Sequence, residues 1–290
     1  MLRALLVAFI ACFVNIDAWG KEGHEIVAAI AQSLLTDKAN GICATLLAHD
    51  GGTLESIASW ADEIRRFAQY RWTEPLHFVD TPEWACKFVD SDCDAKGCVV
   101  SAIHNYTTRL RTPFHGSEST IDLKFLTHFA GDIHQPLHVS FTQDRGGNSE
   151  HGHFCGTKTN LHKIWDTDMI HRRMRNDFDE SQQQYTEFLI KEAGKKSFEQ
   201  VNLWVGNHIM ESGQIEAWAS ETASLACEFA YKDRNGTLIM SGFDICQEYY
   251  QRSIPVVEAQ LIKGGVRLAF LLNTISETPV VIHPEAPMLS

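Results

Sequence analysis

The chain has 290 residues and a formal net charge of −12 at pH 7, with 25 basic against 37 acidic side chains. This balance excludes a general polyanion-binding protein, because nonspecific affinity for nucleic acids comes from Lys and Arg side chains that displace counterions. It does not exclude a nucleic-acid substrate, since bound metal ions add local positive charge that a residue count omits. Beyond the N-terminal segment no apolar run approaches the length of a membrane span, so we predict no stable membrane insertion.

Residues 1–18 have the pattern of a secretory signal peptide. Arg3 gives a short basic region, residues 5–14 are almost wholly apolar, and Ala18 is a small residue suited to signal peptidase. The alternative, a buried N-terminal helix, fits these flanks less well. We therefore predict a mature chain that begins at Trp19 and a protein of the secretory pathway, either extracellular or vacuolar.

The cysteines agree with an oxidising compartment. Of eight, Cys12 lies in the expected signal peptide, so at least one of the remaining seven has no partner within the chain. Cys93 and Cys98 enclose a short Asp/Gly loop and are expected to form a local disulfide. The sequons at Asn105 and Asn235 predict N-glycosylation.

Apolar residues recur at helical spacing along most of the chain. This periodicity predicts helices at 25–35, 54–70, 99–111, 121–133, 161–173, 181–195, 198–210, 217–231 and 249–272. The residues from Trp19 to His24 are expected to form a flexible lead. Gly264 and Gly265 fall inside the last helix, where we expect them to permit close packing.

Other segments have loop composition. Residues 80–98 are expected to form an irregular, disulfide-tied loop, and the Gly- and His-rich residues 142–158 a loop or a short hairpin. Strand-like alternation is scarce. The sequence therefore predicts a mainly α fold, with one helical domain over residues 19–275 and a Pro-containing tail over residues 276–290.

In two segments a His precedes an Asp by four residues. The segments are HFAGDIHQPLH at 128–138 and HKIWD at 162–166. On a helix this spacing places the imidazole and the carboxylate on one face, one turn apart. A single such pair is more often an ion pair or a hydrogen-bonded core histidine. Two pairs, with His138 just after the first, favour zinc, whose usual ligands include His nitrogen and Asp oxygen.

An ordered set of motifs resembles the class I zinc nucleases, especially the plant bifunctional nuclease branch. The motifs are WGKEGH at 19–24, WAD at 60–62, LHFVD at 76–80, HFAGDIHQPLH at 128–138, GGN at 146–148, NLHKIWD at 160–166 and GGVRLA at 264–269. Each motif alone is weak, but the set in this order is highly specific. That family is similar in fold to bacterial zinc phospholipase C, a helical domain that carries a cluster of three zinc ions.

The resemblance implies three zinc ions per chain. The first would be bound by Asp62, His77, His128 and Asp132. The second would be bound by His24 and by the amino nitrogen and carbonyl oxygen of Trp19, with Asp132 as a bridge. The third would be bound by His138, His162 and Asp166. The Trp19 ligand requires signal cleavage directly before it, and otherwise Trp19 is an ordinary buried aromatic. His134 is expected to support the site or the fold without binding zinc.

The resemblance also implies catalytic roles. Two bridged zinc ions can lower the pKa of a shared water toward neutrality, and the third can stabilise charge on the phosphate and the leaving 3′ oxygen. Asp80 would orient or deprotonate the water, Arg65 would hold Asp80 or face the phosphate, and Asn160 would contact the phosphate. Phe78 would offer a ring for base stacking. Their simpler interpretations are a loop-capping Asp, a surface Arg, a helix-capping Asn and a core Phe.

The cysteines match the family only in part. The resemblance implies the disulfides Cys86–Cys227 and Cys93–Cys98. Three cysteines match neither bridge, namely Cys43, Cys155 and Cys246. Either one additional bridge forms among these three, or all of them are free.

The sequence thus predicts a secreted, monomeric, zinc-dependent endonuclease. Its expected substrates are single-stranded DNA and RNA, cleaved to 5′-phosphorylated products, and 3′-nucleotides, from which it removes the phosphate. One alternative is a zinc-dependent phospholipase C of the same fold, but that branch ends its third zinc set in Glu where this chain has Asp166. Another is a non-catalytic secreted metal-binding protein, which predicts eroded ligands or an absent Asp80, and the sequence has neither.

Overall fold

A computed structural model describes residues 19–112, 117–206 and 213–277. The expected signal peptide, nearly all of the expected tail and the last residues of the helix predicted at 198–210 lie outside these ranges. Helices dominate the described residues, which confirms the predicted mainly α fold. Every helix in these ranges is too short or too polar to span a bilayer.

The α-helices are numbered in chain order. They are α1 (Lys21–Ser33), α2 (Asp37–Leu46), α3 (Leu54–Ile57), α4 (Trp60–Ile64), α5 (Val99–Leu110), α6 (Ser117–Asp132), α7 (Leu161–Lys163), α8 (Met169–Asp177), α9 (Gln182–Gly194), α10 (Phe198–Val205), α11 (Gln214–Leu225) and α12 (Gln247–Glu277). One π-helical turn, Ile164–Asp168, joins α7 to α8, and another, Ala226–Ala230, extends α11. Short 3₁₀ helices span Arg71–His77, Asp90–Asp92 and Pro136–His138.

Five short strands form two small sheets. They are β1 (Val79–Thr81), β2 (Val139–Phe141), β3 (His151–Phe154), β4 (Thr157–Asn160) and β5 (Asp244–Ile245). β3 and β4 form an antiparallel hairpin, which confirms the hairpin alternative for the Gly- and His-rich region, and β5 lies parallel to β3. β1 and β2 are parallel, with Asp80 opposite Ser140. Each of these two strands follows, within two residues, a 3₁₀ helix that ends in His, so the pairing brings His77 and His138 together.

The single helix expected at 54–70 is wrong. The structure divides this stretch into α3, α4 and a series of turns. Earlier in the chain it also contains α2, a helix that the periodicity did not predict. A buried contact explains the break after α3. The carbonyl oxygen of Ala58 accepts a hydrogen bond from His128 Nδ1 at 2.7 Å, so it is directed at α6 and not along the helix axis.

The flexible lead expected before α1 is also wrong. Trp19 is fully buried, the helix begins at Lys21, and His24 is buried within it. Two hydrogen bonds to distant parts of the chain fix the start of the segment. Trp19 Nε1 donates to the carbonyl oxygen of Gly131 at 3.0 Å, and the Gly20 amide donates to the carbonyl oxygen of Asp166 at 2.9 Å.

The packing of α1 against α12 depends on the two glycines in α12. A Cβ at Gly265 would lie 2.5 Å from Ile30 Cβ, and one at Gly264 would lie 3.3 Å from both Cγ atoms of Val27. The helix continues through both positions, as expected. Close approach of these two helices therefore sets the position of α1, which carries His24.

Three disulfides tie the loops to the helices. The structure contains Cys86–Cys227 and Cys93–Cys98, the pairs that the family resemblance implies. It also contains Cys155–Cys246, which joins the β3–β4 turn to the residue after β5. One additional bridge therefore forms among the three unassigned cysteines, and Cys43 is left as a free, buried thiol. Both sequon asparagines, Asn105 and Asn235, are exposed.

Replacing Gly265 with Ala is expected to destabilise the fold by about 1–3 kcal/mol, because the new methyl group overpacks against Ile30. Urea unfolding followed by circular dichroism measures this change. Gly41→Ala is the matched control, since Gly41 lies in α2 with no atom within 4 Å of the added Cβ. The control should leave stability unchanged or raise it by up to about 1 kcal/mol. Equal effects of the two substitutions would contradict the packing role of Gly265.

Candidate metal centre and active site

The structure brings together all eight side chains predicted to bind zinc. Their ligand atoms form three groups within 4.8 Å, namely His24, Asp62 and His128; His77, His128 and Asp132; and His138, His162 and Asp166. They come from seven parts of the chain, which are α1, α4, the end of each of two 3₁₀ helices, α6, α7 and the π-helical turn after α7. Neighbouring groups share His128, so the first two form one cluster beside the third.

The carboxylate of Asp132 lies between two sets of imidazoles. Its Oδ1 is 3.3 Å from His24 Nε2, whereas its Oδ2 is 3.1 Å from His77 Nδ1 and 3.4 Å from His128 Nε2. Asp62 Oδ1 lies 3.5 Å from the same nitrogens of His77 and His128. The two oxygens of Asp132 therefore face different partners, which is the geometry of a carboxylate that bridges two cations.

Backbone carbonyl groups fix the tautomers of three histidines. Each donates from Nδ1 at 2.7 Å, His128 to Ala58, His138 to His77 and His162 to Gly146. An imidazole that donates from Nδ1 has its lone pair on Nε2, the arrangement found in metal-binding histidines. The backbone therefore directs the free lone pairs of these rings into the centre.

The third group shows why a cation suits the site. His138 Nε2 and His162 Nε2 lie 3.2 Å apart, and Asp166 Oδ2 lies 3.2 Å from His162 Nε2. Two neutral imidazole lone pairs repel each other at this distance unless a proton or a metal ion lies between them. Gln135 Nε2 donates to Asp166 Oδ1 at 2.5 Å and so orients the carboxylate.

Several buried donor and acceptor atoms also indicate a missing partner. Among the described residues, no hydrogen bond is made by three buried atoms that face the centre, namely His24 Nε2, Asp62 Oδ1 and Asp132 Oδ1. A buried polar atom without a partner costs about 1–3 kcal/mol. Nitrogen and carboxylate donors at this spacing fit zinc, which accepts both. The residues therefore fit the metal centre that the sequence predicted.

Burial sets the protonation of the centre. It lowers the pKa of His24 and His138 well below the usual range, with the neighbouring His128 and His162 acting in the same direction, so both rings are neutral. Burial also opposes charge on His128, but Asp132 and Asp62 outweigh it and raise the His128 pKa to about 9. Positive charge is thus stabilised at the point where these carboxylates meet.

His134 binds no metal in this arrangement. Its Nδ1 donates to the carbonyl oxygen of Ala130 at 2.7 Å, and its Nε2 accepts from Arg267 Nη1 at 2.9 Å. Arg267 in turn donates from Nη2 to Glu221 at 2.6 Å. Burial and the Arg267 charge lower the pKa of His134 to about 3, which keeps the ring neutral. The histidine ties the end of α6 to α12 and α11.

Asp80 reaches solvent from β1, three residues after His77. Partial burial, followed by the negative charges of Asp144 and Asp94, raises its pKa, and Arg145 acts in the opposite direction. Phe78 lies between His77 and Asp80 and is half-buried. Both residues therefore follow the ligand His77 closely in the chain, and both side chains are accessible to solvent.

Arg65 and Asn160 contact residues that carry or adjoin the predicted ligands. Arg65 Nη2 lies 3.3 Å from Asp62 Oδ1, which places the guanidinium beside the first group of ligands. Asn160 Oδ1 accepts from the Lys163 amide at 2.7 Å and caps α7. The helix-capping interpretation of Asn160 is thus observed, and the cap fixes the start of the helix that carries His162.

Sequence reasoning missed residues that shape the centre without binding metal. Gln135 holds Asp166, the Ala58 carbonyl group orients His128, and Gly131 leaves room for a ring. A Cβ at Gly131 would lie 2.7 Å from His24 Nδ1. Gln135 and Gly131 lie inside the HFAGDIHQPLH motif, but their contacts are with distant parts of the chain, so spacing gave no signal of them.

Replacing Gly131 with Ala should displace the His24 ring and reduce the metal content of the purified protein. Loss of a contact that orients a ligand typically weakens metal affinity about 10–100-fold. Plasma mass spectrometry after dialysis against a weak chelator measures the bound metal. Gly194→Ala is the control, since an added Cβ there meets no atom within 4 Å. Unchanged metal content in the Gly131 variant would contradict this account of His24.

Comparison with known proteins finds similarity over all of the described residues. The S1/P1 nuclease family model matches residues 19–277. Endonuclease 4 of Arabidopsis thaliana is 37% identical, with 89% of each chain covered. Nuclease S1 of Aspergillus oryzae is 34% identical over 90% of this chain and 93% of its own, and Nuclease P1 of Penicillium citrinum is 34% identical over 89% and 97%. The chain therefore belongs to the S1/P1 nuclease family, whose members are phosphodiesterase endonucleases.

Proposed function

We propose that this nuclease is a zinc-dependent endonuclease that hydrolyses single-stranded DNA and RNA to 5′-phosphorylated products and removes phosphate from 3′-nucleotides. The single observation that carries the proposal is the Asp132 carboxylate, whose two oxygens face separate sets of imidazoles. A third His/Asp group lies beside it. This arrangement suits a phosphodiester, on which several oxygens carry charge as the bond breaks.

The chain's own residues would hold three zinc ions. Asp62, His77, His128 and Asp132 would hold the first; His24, Asp132 and the amino and carbonyl groups of Trp19 the second; and His138, His162 and Asp166 the third. When bound, zinc supplies a water of lowered pKa and neutralises charge on the phosphate. The buried Trp19 ring and its bond to Gly131 would anchor a new N-terminus, which requires cleavage before Trp19.

We assign the proton-accepting role to Asp80. It reaches the surface three residues after the ligand His77, and its raised pKa makes the carboxylate a stronger base than an ordinary aspartate. Arg65, held against Asp62, would present positive charge to the phosphate. The Asn160 side-chain oxygen is occupied by its helix cap, so its Nδ2 group would donate to the phosphate.

Phe78 would select unpaired strands. Its half-buried ring lies between His77 and Asp80, where a base next to the cleaved bond could stack on it. Such stacking requires a base that has left the duplex, and it tolerates every base because each has a π-face. We therefore propose a preference for single strands without strong sequence selectivity.

The three disulfides support a location in the secretory pathway, since such bonds persist in oxidising compartments. Exposure of Asn105 and Asn235 is compatible with glycosylation there. We also propose that the protein is a monomer and that it is extracellular or vacuolar. Parallel assays on choline phospholipid and on single-stranded DNA separate the proposed nuclease from the phospholipase alternative.

Replacing Asp80 with Asn should lower kcat on single-stranded DNA about 10²–10⁴-fold, the usual contribution of a general base. Zinc content should not change, because Asp80 is outside the three ligand groups. Rates and metal content are measured on the same preparation. Asp90→Asn, at another exposed acid, should behave like the wild type. Full activity with full zinc in the Asp80 variant would contradict the proposed role.

Replacing Asp144 with Asn should shift the acid limb of the kcat/KM profile to lower pH. Asp80 must be ionised to accept a proton, so activity is lost as pH falls through its pKa. Burial and the Asp144 charge raise that pKa, and removing the charge lowers it. The amide oxygen of Asn can still accept from Tyr231 OH, which lies 3.0 Å from Asp144 Oδ1. The Asp90→Asn control should not shift, and a shift of the Asp144 variant to higher pH would refute the proposal.

A further inference from the structure

Residues 65–72 differ in charge from the rest of this acidic chain. Their sequence, RRFAQYRW, contains three Arg and three aromatic residues and no acidic residue. Phe67 is 53% exposed and Trp72 is 59% exposed, and the side chains of Arg66 and Arg71 are exposed as well. Large apolar rings at the surface mark interaction sites when they are grouped. We call residues 65–72 the Arg/aromatic segment.

Tight turns hold the backbone of this segment in place. Successive hydrogen bonds, each of 2.9 Å, join Phe67 N to Ile64 O, Tyr70 N to Phe67 O and Thr73 N to Tyr70 O. The side chain of Thr73 is buried and donates to the same Tyr70 carbonyl oxygen at 2.8 Å. The two exposed rings therefore project from a fixed backbone, which reduces the entropy lost when a partner binds.

The Arg/aromatic segment is also continuous with the metal centre. It begins with Arg65, whose Nη2 is 3.3 Å from Asp62, and the 3₁₀ helix that contains Trp72 ends at His77. A row of rings connects the same points. The Trp72 ring lies 6.5 Å from Phe125, which stacks on Phe129 at 5.4 Å, and Phe129 meets His77 at 5.0 Å. Both ends of the segment are therefore linked to ligands of the centre, one through Arg65 and the other through the 3₁₀ helix that ends at His77.

The charges of the Arg/aromatic segment complement a polyanion. Across residues 19–112, 117–206 and 213–277, neither Arg66 nor Arg71 has an ion pair with an acidic side chain, although Glu63 and Glu74 flank the segment. Arg66 Cζ lies 5.4 Å from the centroid of the Phe67 ring. Cationic groups beside exposed rings are the combination that binds single strands, with phosphates on the cations and bases on the rings.

We infer that the Arg/aromatic segment is a second binding site for single-stranded nucleic acid, remote from the cleaved bond. Phe67 and Trp72 stack on bases, and Arg66 and Arg71 contact phosphates. The inference rests on the proposed function, because it presumes a single-stranded polynucleotide at the metal centre. It predicts that long strands bind more tightly than dinucleotides, and that only long strands are sensitive to this segment.

The test measures binding and turnover separately. Fluorescence anisotropy with a labelled phosphorothioate oligothymidylate, which resists hydrolysis, gives Kd for the intact holoprotein. Phe67→Ala and Trp72→Ala should each weaken binding about tenfold, and the double variant more, as for other base-stacking rings. Arg66→Ala with Arg71→Ala should reduce the slope of log Kd against log salt by about 1.4, since single strands lose about 0.7 per phosphate contact. The kcat/KM for a thymidine dinucleotide should stay at the wild-type value in all of these variants.

Matched substitutions control for exposure and folding. Phe198 is 83% exposed on α10, outside any such segment, and Phe198→Ala should leave Kd unchanged. Trp72 also packs near Phe125, so its loss could disturb the local structure. A melting curve of each variant measures such damage. The Trp72→Phe variant, which keeps an aromatic ring, should recover most of the affinity. Wild-type Kd in the Phe67/Trp72 double variant would overturn the inference. So would an equal loss in the Phe198 variant.

Two further outcomes are distinct. If sedimentation shows a dimer that becomes a monomer in the double variant while Kd is unchanged, the Arg/aromatic segment binds a second copy and the inference is wrong. If the wild type binds the long strand and loses this binding in the double variant but hydrolyses no dinucleotide, the second site stands and the proposed catalytic function fails. Failure of the inference and failure of the proposed function are thus told apart.

Discussion

The structure depends on the burial of one carboxylate, that of Asp132. The side chain is fully buried, and burial raises its pKa well above the usual range. A buried charge is tolerated only when it is paired or coordinates a metal. Four imidazoles and a second carboxylate surround it, and their donor atoms face the space in which cations would pair with this group. The same group holds α1, α6 and the 3₁₀ helix before β1 in register.

Backbone contacts and helix packing together position these side chains. Three carbonyl groups fix ring tautomers, and parallel pairing of β1 with β2 aligns two 3₁₀ helices that each end in His. Gly265 lets α12 approach α1 closely. The hydrogen bond from Arg267 on α12 to His134, just after α6, holds the end of α6 against α12. Irregular points in helices also position ligands, since Asp166 lies in the π-helical turn after α7. The break after α3 is one such adaptation, since Ala58 gives its carbonyl group to His128.

The electrostatics reconcile an acidic protein with a polyanionic substrate. Net charge acts at long range and is screened by salt, whereas the groups that meet a phosphate act at contact distance. Cations at the metal centre and the arginines of the Arg/aromatic segment would attract the phosphates of a bound strand. The acidic remainder then limits nonspecific binding elsewhere on the surface.

The sequence by itself determined the mainly α fold and the approximate positions of most helices, because helical periodicity is a local property. Its motifs also predicted which His and Asp side chains the structure brings together. It left open the third disulfide and misjudged residues 19–24 and 54–70. Those outcomes depend on contacts between residues far apart in the chain, such as Trp19 with Gly131 and Ala58 with His128. Only the tertiary structure decided that Asp132 faces two sets of imidazoles and that Gln135 and Gly131 shape the centre, since side-chain direction is set by packing and not by spacing.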